Sequence, residues 1–337
     1  MKTLPIFCIR KPRNQIWILS VFVCLSTVLS LTVGSVSISP LKAFMALAGH
    51  LPGSIEEHIL LYSRLPRTLG CLFAGGALAV SGVVIQRVLH NPLAAPNIIG
   101  VNSGAGFMVA LCCAMAPTAF WLIPLASFVG ALAGAILVFW VARRAGASRI
   151  TLVLTGIAIS GIFSAGIDAV VTCFPDALNG YSDFRIGGFS NLTLDRILPA
   201  FWVILIAFIG TLLLSGEMDV LALGDETSRS LGLATERIRI LLLTCAAALA
   251  GAAVSIAGLL GFVGLVVPHI MRRMVGEEST LLIISSILGG AAFVTLCDLA
   301  ARMLFSPYIL PVGIILSLVG GGFFLWLLIK GKGGRHG

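Results

Sequence analysis

Apolar residues run through this chain in blocks of about twenty, separated by short clusters of charge, glycine and proline. The blocks do not alternate as ten-residue barrel strands do, and each is long enough to cross a bilayer as a helix. Ten such spans are expected, at about residues 16–36, 64–89, 97–114, 118–142, 150–173, 198–215, 240–257, 260–274, 281–304 and 310–329. The expected fold class is therefore an all-α, polytopic membrane protein with about ten transmembrane helices. It reads as one transmembrane domain: residues 1–215 carry spans one to six, residues 216–239 form a polar loop, and residues 240–337 carry spans seven to ten.

Composition sharpens that picture. Hydrophobic residues make up 58% and charged residues 11% of the chain, whereas soluble domains carry roughly 25% charge. In lipid only helices and closed barrels satisfy the backbone's polar groups, and the run length selects helices. The net charge of +8 does not imply a nucleic-acid partner, because Lys and Arg gather at the ends of apolar runs. All but six of the 22 (Lys42, Arg64, Arg67, Arg185, Arg196 and Arg302) fall on one side of the ten-span layout. That asymmetry places both termini in the cytoplasm. Lys2, Arg10, Lys11 and Arg13 open the chain as in a signal peptide, but the run after them is long enough for a retained first helix. The eight cysteines form no C-x-x-C pair and read as small core residues, with no disulfide framework or metal site.

The most charge-dense stretch, residues 217–239, lies between the two apolar blocks. An ionised side chain costs about 2.5–3.5 kcal/mol at the centre of a span, so this stretch belongs in water. Asp225 to Leu233 reads as a short amphipathic helix with a glycine turn, and Leu223, Leu231 and Leu233 stand among its charges. Such a loop suits a docking partner; a solvated connector is the plainer alternative.

Backbone breaks supply a second signal. Asn91-Pro-Leu-Ala-Ala-Pro-Asn97 and the glycines at 100, 104 and 106 interrupt the apolar pattern. Irregular backbone at membrane depth lines a cavity or packs on protein. Gly75–Pro96 and Gly251–Pro268 are loosely alike, which hints at an inverted repeat of the transporter kind. There is no phosphate-binding loop, no H-E-x-x-H and no G-x-S-x-G, so no enzyme is expected and any ATP must be hydrolysed by another chain. Two acids fall in spans. Asp298 has Arg302 at i, i+4 as a structural partner, and Asp168 lies near a helix end. A proton-coupled secondary transporter using Asp168 and Asp298 is the rival reading. Arg64, Arg67 and Arg302 depart from the charge rule and suit either lipid headgroups or a partner's carboxylates.

Seven ordered blocks resemble the FecCD-type permease subunits of ABC importers for iron–siderophore complexes, haem and cobalamin. They are Arg64-Leu-Pro-Arg-Thr68, Gly75-Gly-Ala-Leu-Ala-Val-Ser-Gly82, Asn91-Pro-Leu-Ala-Ala-Pro96, Gly100-Val-Asn-Ser-Gly104, Leu221-Ala-Leu-Gly-Asp225, Gly261-Phe-Val-Gly-Leu-Val-Val-Pro-His269 and Leu310-Pro-Val-Gly313. The resemblance implies a multi-pass protein of a bacterial cell membrane, paired as a homodimer or with a closely related permease. Cytoplasmic ATPase subunits, an extracytoplasmic substrate-binding protein and membrane lipid are the implied partners. No cofactor is implied, since the ATPase binds the ATP. By the same resemblance, Leu221, Gly224, Asp225, Glu226, Arg229, Leu231 and Gly232 couple to the ATPase. Arg64, Arg67 and Arg302 receive acidic residues of the binding protein, and Asn91 and Leu93 belong to a cytoplasmic gate. No gate residue is assigned around residues 149–151. The chain departs from the family pattern in Ile256-Ala-Gly-Leu-Leu-Gly-Phe262, which has Leu where many relatives have a Gly-Pro pair, and at Gly320-Gly-Gly-Phe323, where a Gly-Ala-Pro-hydrophobic run is usual.

Overall fold

The computed structural model describes residues 12–332, apart from residues 35, 37, 51, 52, 147, 148, 191, 306 and 307. Lys2, Arg10, Lys11 and Arg335, which contribute to the charge asymmetry, lie outside the described residues.

Every regular element among the described residues is helical, in the order α1 (Pro12–Thr32), α2 (Pro40–Leu47), α3 (Ile55–Ile59), α4 (Leu65–Leu89), α5 (Val101–Met115), α6 (Ile123–Arg144), α7 (Arg149–Cys173), α8 (Ala177–Ile186), α9 (Leu194–Leu213), α10 (Ser215–Ala222), α11 (Asp225–Ser230), α12 (Thr235–Ala257), α13 (Val263–Val275), α14 (Ser279–Met303) and α15 (Val312–Lys332). Seven apolar helices among the described residues are long enough to cross a membrane, and α5 and α15 add shorter apolar ones. With the half-length α13, these match the spans expected from the sequence, about ten in all.

The second span differs at its start. It begins at Ile55 and runs to Leu89 without interruption. A π-helical turn, Leu60–Arg64, joins α3 to α4. Pro66 explains its position: a residue with no N–H cannot complete the α-helical ladder, and the turn before it widens. The polar loop is also shorter than expected, because α12 already starts at Thr235.

Burial ranks the helices. The apolar window of α4 is 83% buried, against 67% for α12, 61% for α14 and 22% for α7. α4 is thus the central post, and α1, α6, α7 and α9 turn apolar faces outward. α4 packs on α9, α12, α13 and α14, so helices from both sides of the polar loop share one core. Between apolar helices in lipid, close packing replaces the hydrophobic drive, and small residues allow it. A Cβ on Gly75 would strike the backbone of Gly290 on α14, and one on Gly82 would strike Gly264 on α13. Gly104 and Gly130 meet backbone to backbone in the same way between α5 and α6. Ser81 adds a polar tie across the core, its Oγ donating to the Ala246 carbonyl at 2.7 Å.

Candidate translocation and docking sites

The two breaks in the apolar pattern meet in space. α4 ends at His90, a non-glycine residue in the left-handed region at φ 49°. Asn91 then caps the turn, its Oδ1 accepting the Leu93 N–H at 2.9 Å. Pro92 and Pro96 keep the chain from resuming an α-helix, and Pro96–Ile99 forms one 3-10 turn before α5. Across from it, α12 stops at Gly258 (φ 69°), and Phe262 starts α13 at φ 66°. A bulky residue held there stores on the order of 1–3 kcal/mol of strain. Leu78, Leu93, Ala95–Ile98, Asn102 and residues 260–262, 264 and 265 enclose a cavity of about 190 Å³ between the breaks. Small-molecule pockets run to roughly 300–1,000 Å³, so within this chain the gap is smaller than a ligand pocket. Leu93 is 39% exposed at its edge. The two departures from the family pattern also meet here: Leu260 lines the gap, and Phe262 packs where any side chain at Gly320 would collide with it.

The polar loop folds into α10 and α11. Ser228 joins them, its Oγ lying 2.7 Å from the Val220 carbonyl and 2.6 Å from that of Gly224. Asp225 is anchored to α12 by a forked pair, with Arg239 Nη2 at 2.9 and 2.8 Å from its two oxygens. The glycines at 224 and 232 adopt φ 106° and 84°, which a side chain would strain. Glu226, Arg229 and Gly232 are exposed. Leu223 and Leu231 are 61% and 63% exposed, so apolar tips do project among charges. Leu221 does not join them. It is fully buried, and its part is to anchor α10 to the core.

At the opposite end, Arg64 of the π-helical turn, Arg67 of α4 and Arg302 of α14 come together. Their orientation differs from the expectation of guanidinium groups held out to a partner. Arg64 donates to the carbonyls of Leu31 and Thr32, at 2.8 and 2.9 Å, and to that of Val36, closing the C-terminus of α1. Arg67 forms a bidentate pair with Asp298. Arg302 reaches Asp298 and the Ser30 hydroxyl. Arg64 and Arg67 are buried and Arg302 is half-buried; Arg64 is folded onto carbonyls that the end of α1 leaves unpaired, and the other two onto Asp298. The i, i+4 pairing of Asp298 with Arg302 is present, at 3.1 Å. Asp168 is exposed in the C-terminal part of α7.

Apolar patterning does not single out Gln86, Arg87, Asp219, Arg272 and Glu277, which link α4, α10, α13 and the α13–α14 connector at the loop end. Their signal, basic residues closing apolar spans, was absorbed into the topology rule.

A helical shell around a central post, with two facing backbone breaks and a structured polar loop, defines a multi-pass transport protein. Residues 21–330 match the FecCD transport family, and the chain belongs to that family. It is 36% identical over 317 residues to the iron-uptake system permease protein FeuB of Bacillus subtilis, covering 93% of this chain and 94% of that one. It is 34% identical to the hemin transport system permease protein HmuU of Yersinia pestis, covering 97% and 98%. A solved metal-chelate type ABC transporter in an inward-facing conformation superposes with a TM-score of 0.83 at 28% identity, covering 95% of this chain and all of that one. The chain is thus a member of a family of membrane transport proteins.

Proposed function

We propose that this chain is the membrane permease subunit of an ABC importer that carries an iron chelate inward. A separate ATPase drives it, with access alternating at the axis of a homodimer or of a pair with a closely related permease. The carrying observation is the α10–α11 loop, an anchored projection whose exposed face combines Leu223 and Leu231 with Glu226 and Arg229. An anchored, apolar-tipped knob in water suits a groove on an ATPase, and its tie to α12 through Asp225 and Arg239 carries a push into the core. In this reading the loop and both termini are cytoplasmic, and the chain is one permease domain hinged at residues 216–239. The names of FeuB and HmuU point to ferric chelates or hemin as cargo.

An extracytoplasmic binding protein docks at the opposite end. The buried cluster there sets three arginines against one aspartate. Its excess positive charge attracts acidic lobes through the field even while the side chains are engaged internally. Asn91 and Leu93 serve as the cytoplasmic gate. Proton coupling through Asp298 is disfavoured, because its carboxylate is fully buried and held by two guanidinium groups. Uptake in cells carrying the charge reversal Glu226→Arg with Arg229→Glu tests the reading: cargo entry falls while ATP hydrolysis continues and the chain stays in the membrane. Normal uptake contradicts it.

A further inference from the structure

At the loop end, polar side chains from four helices and one connector form a continuous path. Asp219 of α10 accepts from the Ser279 N–H at 3.1 Å and its Oγ at 2.6 Å, which ties α10 to the first turn of α14. A carboxylate at a helix N-terminus is favourably placed. Arg87 Nη2 lies 3.2 Å from Glu277 and 4.0 Å from Asp219. Arg272 Nε is 3.4 Å from the same Glu277 oxygen, and its Nη2 donates to Gln86 Oε1 at 2.8 Å. Gln86 Nε2 then donates to the Gly264 carbonyl at 3.1 Å. Gly264 lines the gap beside Leu93. The path therefore starts on the helix that leads into the exposed loop and ends in the wall of the gap beside Leu93.

Two features separate this path from static packing. Arg87 has alternatives: its Nε and Nη2 are buried, make no aligned hydrogen bond, and sit between carboxylates on different elements. Moving toward one acid forfeits no fully formed bond to the other. Arg87 is also joined to the gap by its backbone, since its carbonyl accepts the N–H of the left-handed His90 that begins the Asn91–Leu93 turn. Asp219 on α10 and Glu277 on the α13–α14 connector are thus alternative partners for Arg87.

We infer that Gln86, Arg87, Arg272 and Glu277 are positioning residues that transmit displacement of the α10–α11 loop to the gap at Leu93, with Arg87 exchanging between Glu277 and Asp219. The inference rests on the importer reading above. It is tested in proteoliposomes holding the full complex with its ATPase and binding protein, with cargo uptake and ATP hydrolysis measured in parallel. Ferric citrate, a ferric hydroxamate and hemin serve as probes. Glu277 is 66% exposed, so Glu277→Gln leaves the fold intact. Glu277→Gln and Arg87→Gln should each cut cargo moved per ATP at least tenfold while hydrolysis stays within twofold, and Arg87→Lys should restore most of the uptake. Wild-type transport per ATP in both Gln variants overturns the inference, as does hydrolysis falling in step with uptake. A wild-type complex that hydrolyses ATP and moves none of the probes instead contradicts the importer reading, and the inference falls with it.

Discussion

Arg67 and Asp298 lie 231 positions apart and meet as a bidentate pair, with Nε 2.9 Å from Oδ2 and Nη2 2.8 Å from Oδ1. The carboxylate is fully buried, and Arg302 approaches it from its own helix. Because Arg302 also holds Ser30, one aspartate joins α1, α4 and α14. Breaking a buried pair from one side leaves an uncompensated charge and costs about 3–5 kcal/mol. Asp298→Ala should therefore lower stability by that order, read as a lower thermal midpoint in detergent. An unchanged midpoint would show that the cluster is incidental.

The glycine crossings are expected to be intolerant. A methyl group at Gly82 meets the backbone of Gly264, which cannot rotate away as a side chain can. Overpacking of this kind costs about 1–3 kcal/mol. Gly82→Ala should lower both thermal stability and uptake, whereas Gly321→Ala, where the added methyl meets open space, should be neutral in both assays.

Leu231 contributes nothing to the core that would be missed, since it projects into water. Burying a leucine in a partner's groove is worth about 1.5–3 kcal/mol. Leu231→Ala should weaken ATPase binding at least tenfold, measured by co-purification or titration, with the melting profile unchanged. Leu221→Ala should do the reverse and destabilise the chain itself, because Leu221 is fully buried.

At the gap, Asn91 holds the turn that presents Leu93. Asn91→Ala removes the acceptor for the Leu93 N–H and loosens that turn. The expected result is a raised leak of small solutes through proteoliposomes without ATP, and Leu93→Ala should raise it further. Tight vesicles with both variants would remove these residues from the gate.

The helical plan was legible because a twenty-residue apolar window is a long, redundant signal. So was the loop, where charge density alone forces exposure. The pairing of Asp298 with Arg302 was readable from one helical turn, but Arg67 was not, because nothing local ties residue 67 to residue 298. The inward turn of Arg64, Arg67 and Arg302 was hidden for a related reason. Arg64 meets backbone carbonyls at the end of α1, Arg67 a carboxylate on α14 and Arg302 the Ser30 hydroxyl on α1, which only the assembled fold supplies. Arg87 and Arg272 were visible as charges and misread as topology markers, since the positive-inside pattern explains any basic residue at a span's end without asking what it touches. The π turn before Pro66 and the left-handed Phe262 left no pattern, because apolar periodicity does not encode where a helix widens or restarts.

The central claim is that this chain moves cargo only when a separate motor drives it through the α10–α11 loop. The most direct measurement is accumulation of a radiolabelled ferric chelate in proteoliposomes, comparing the permease alone with the permease bound to its ATPase and supplied with ATP. The account requires accumulation against a gradient in the second case and none in the first. Concentrative uptake by the permease alone, abolished by a protonophore, would contradict it.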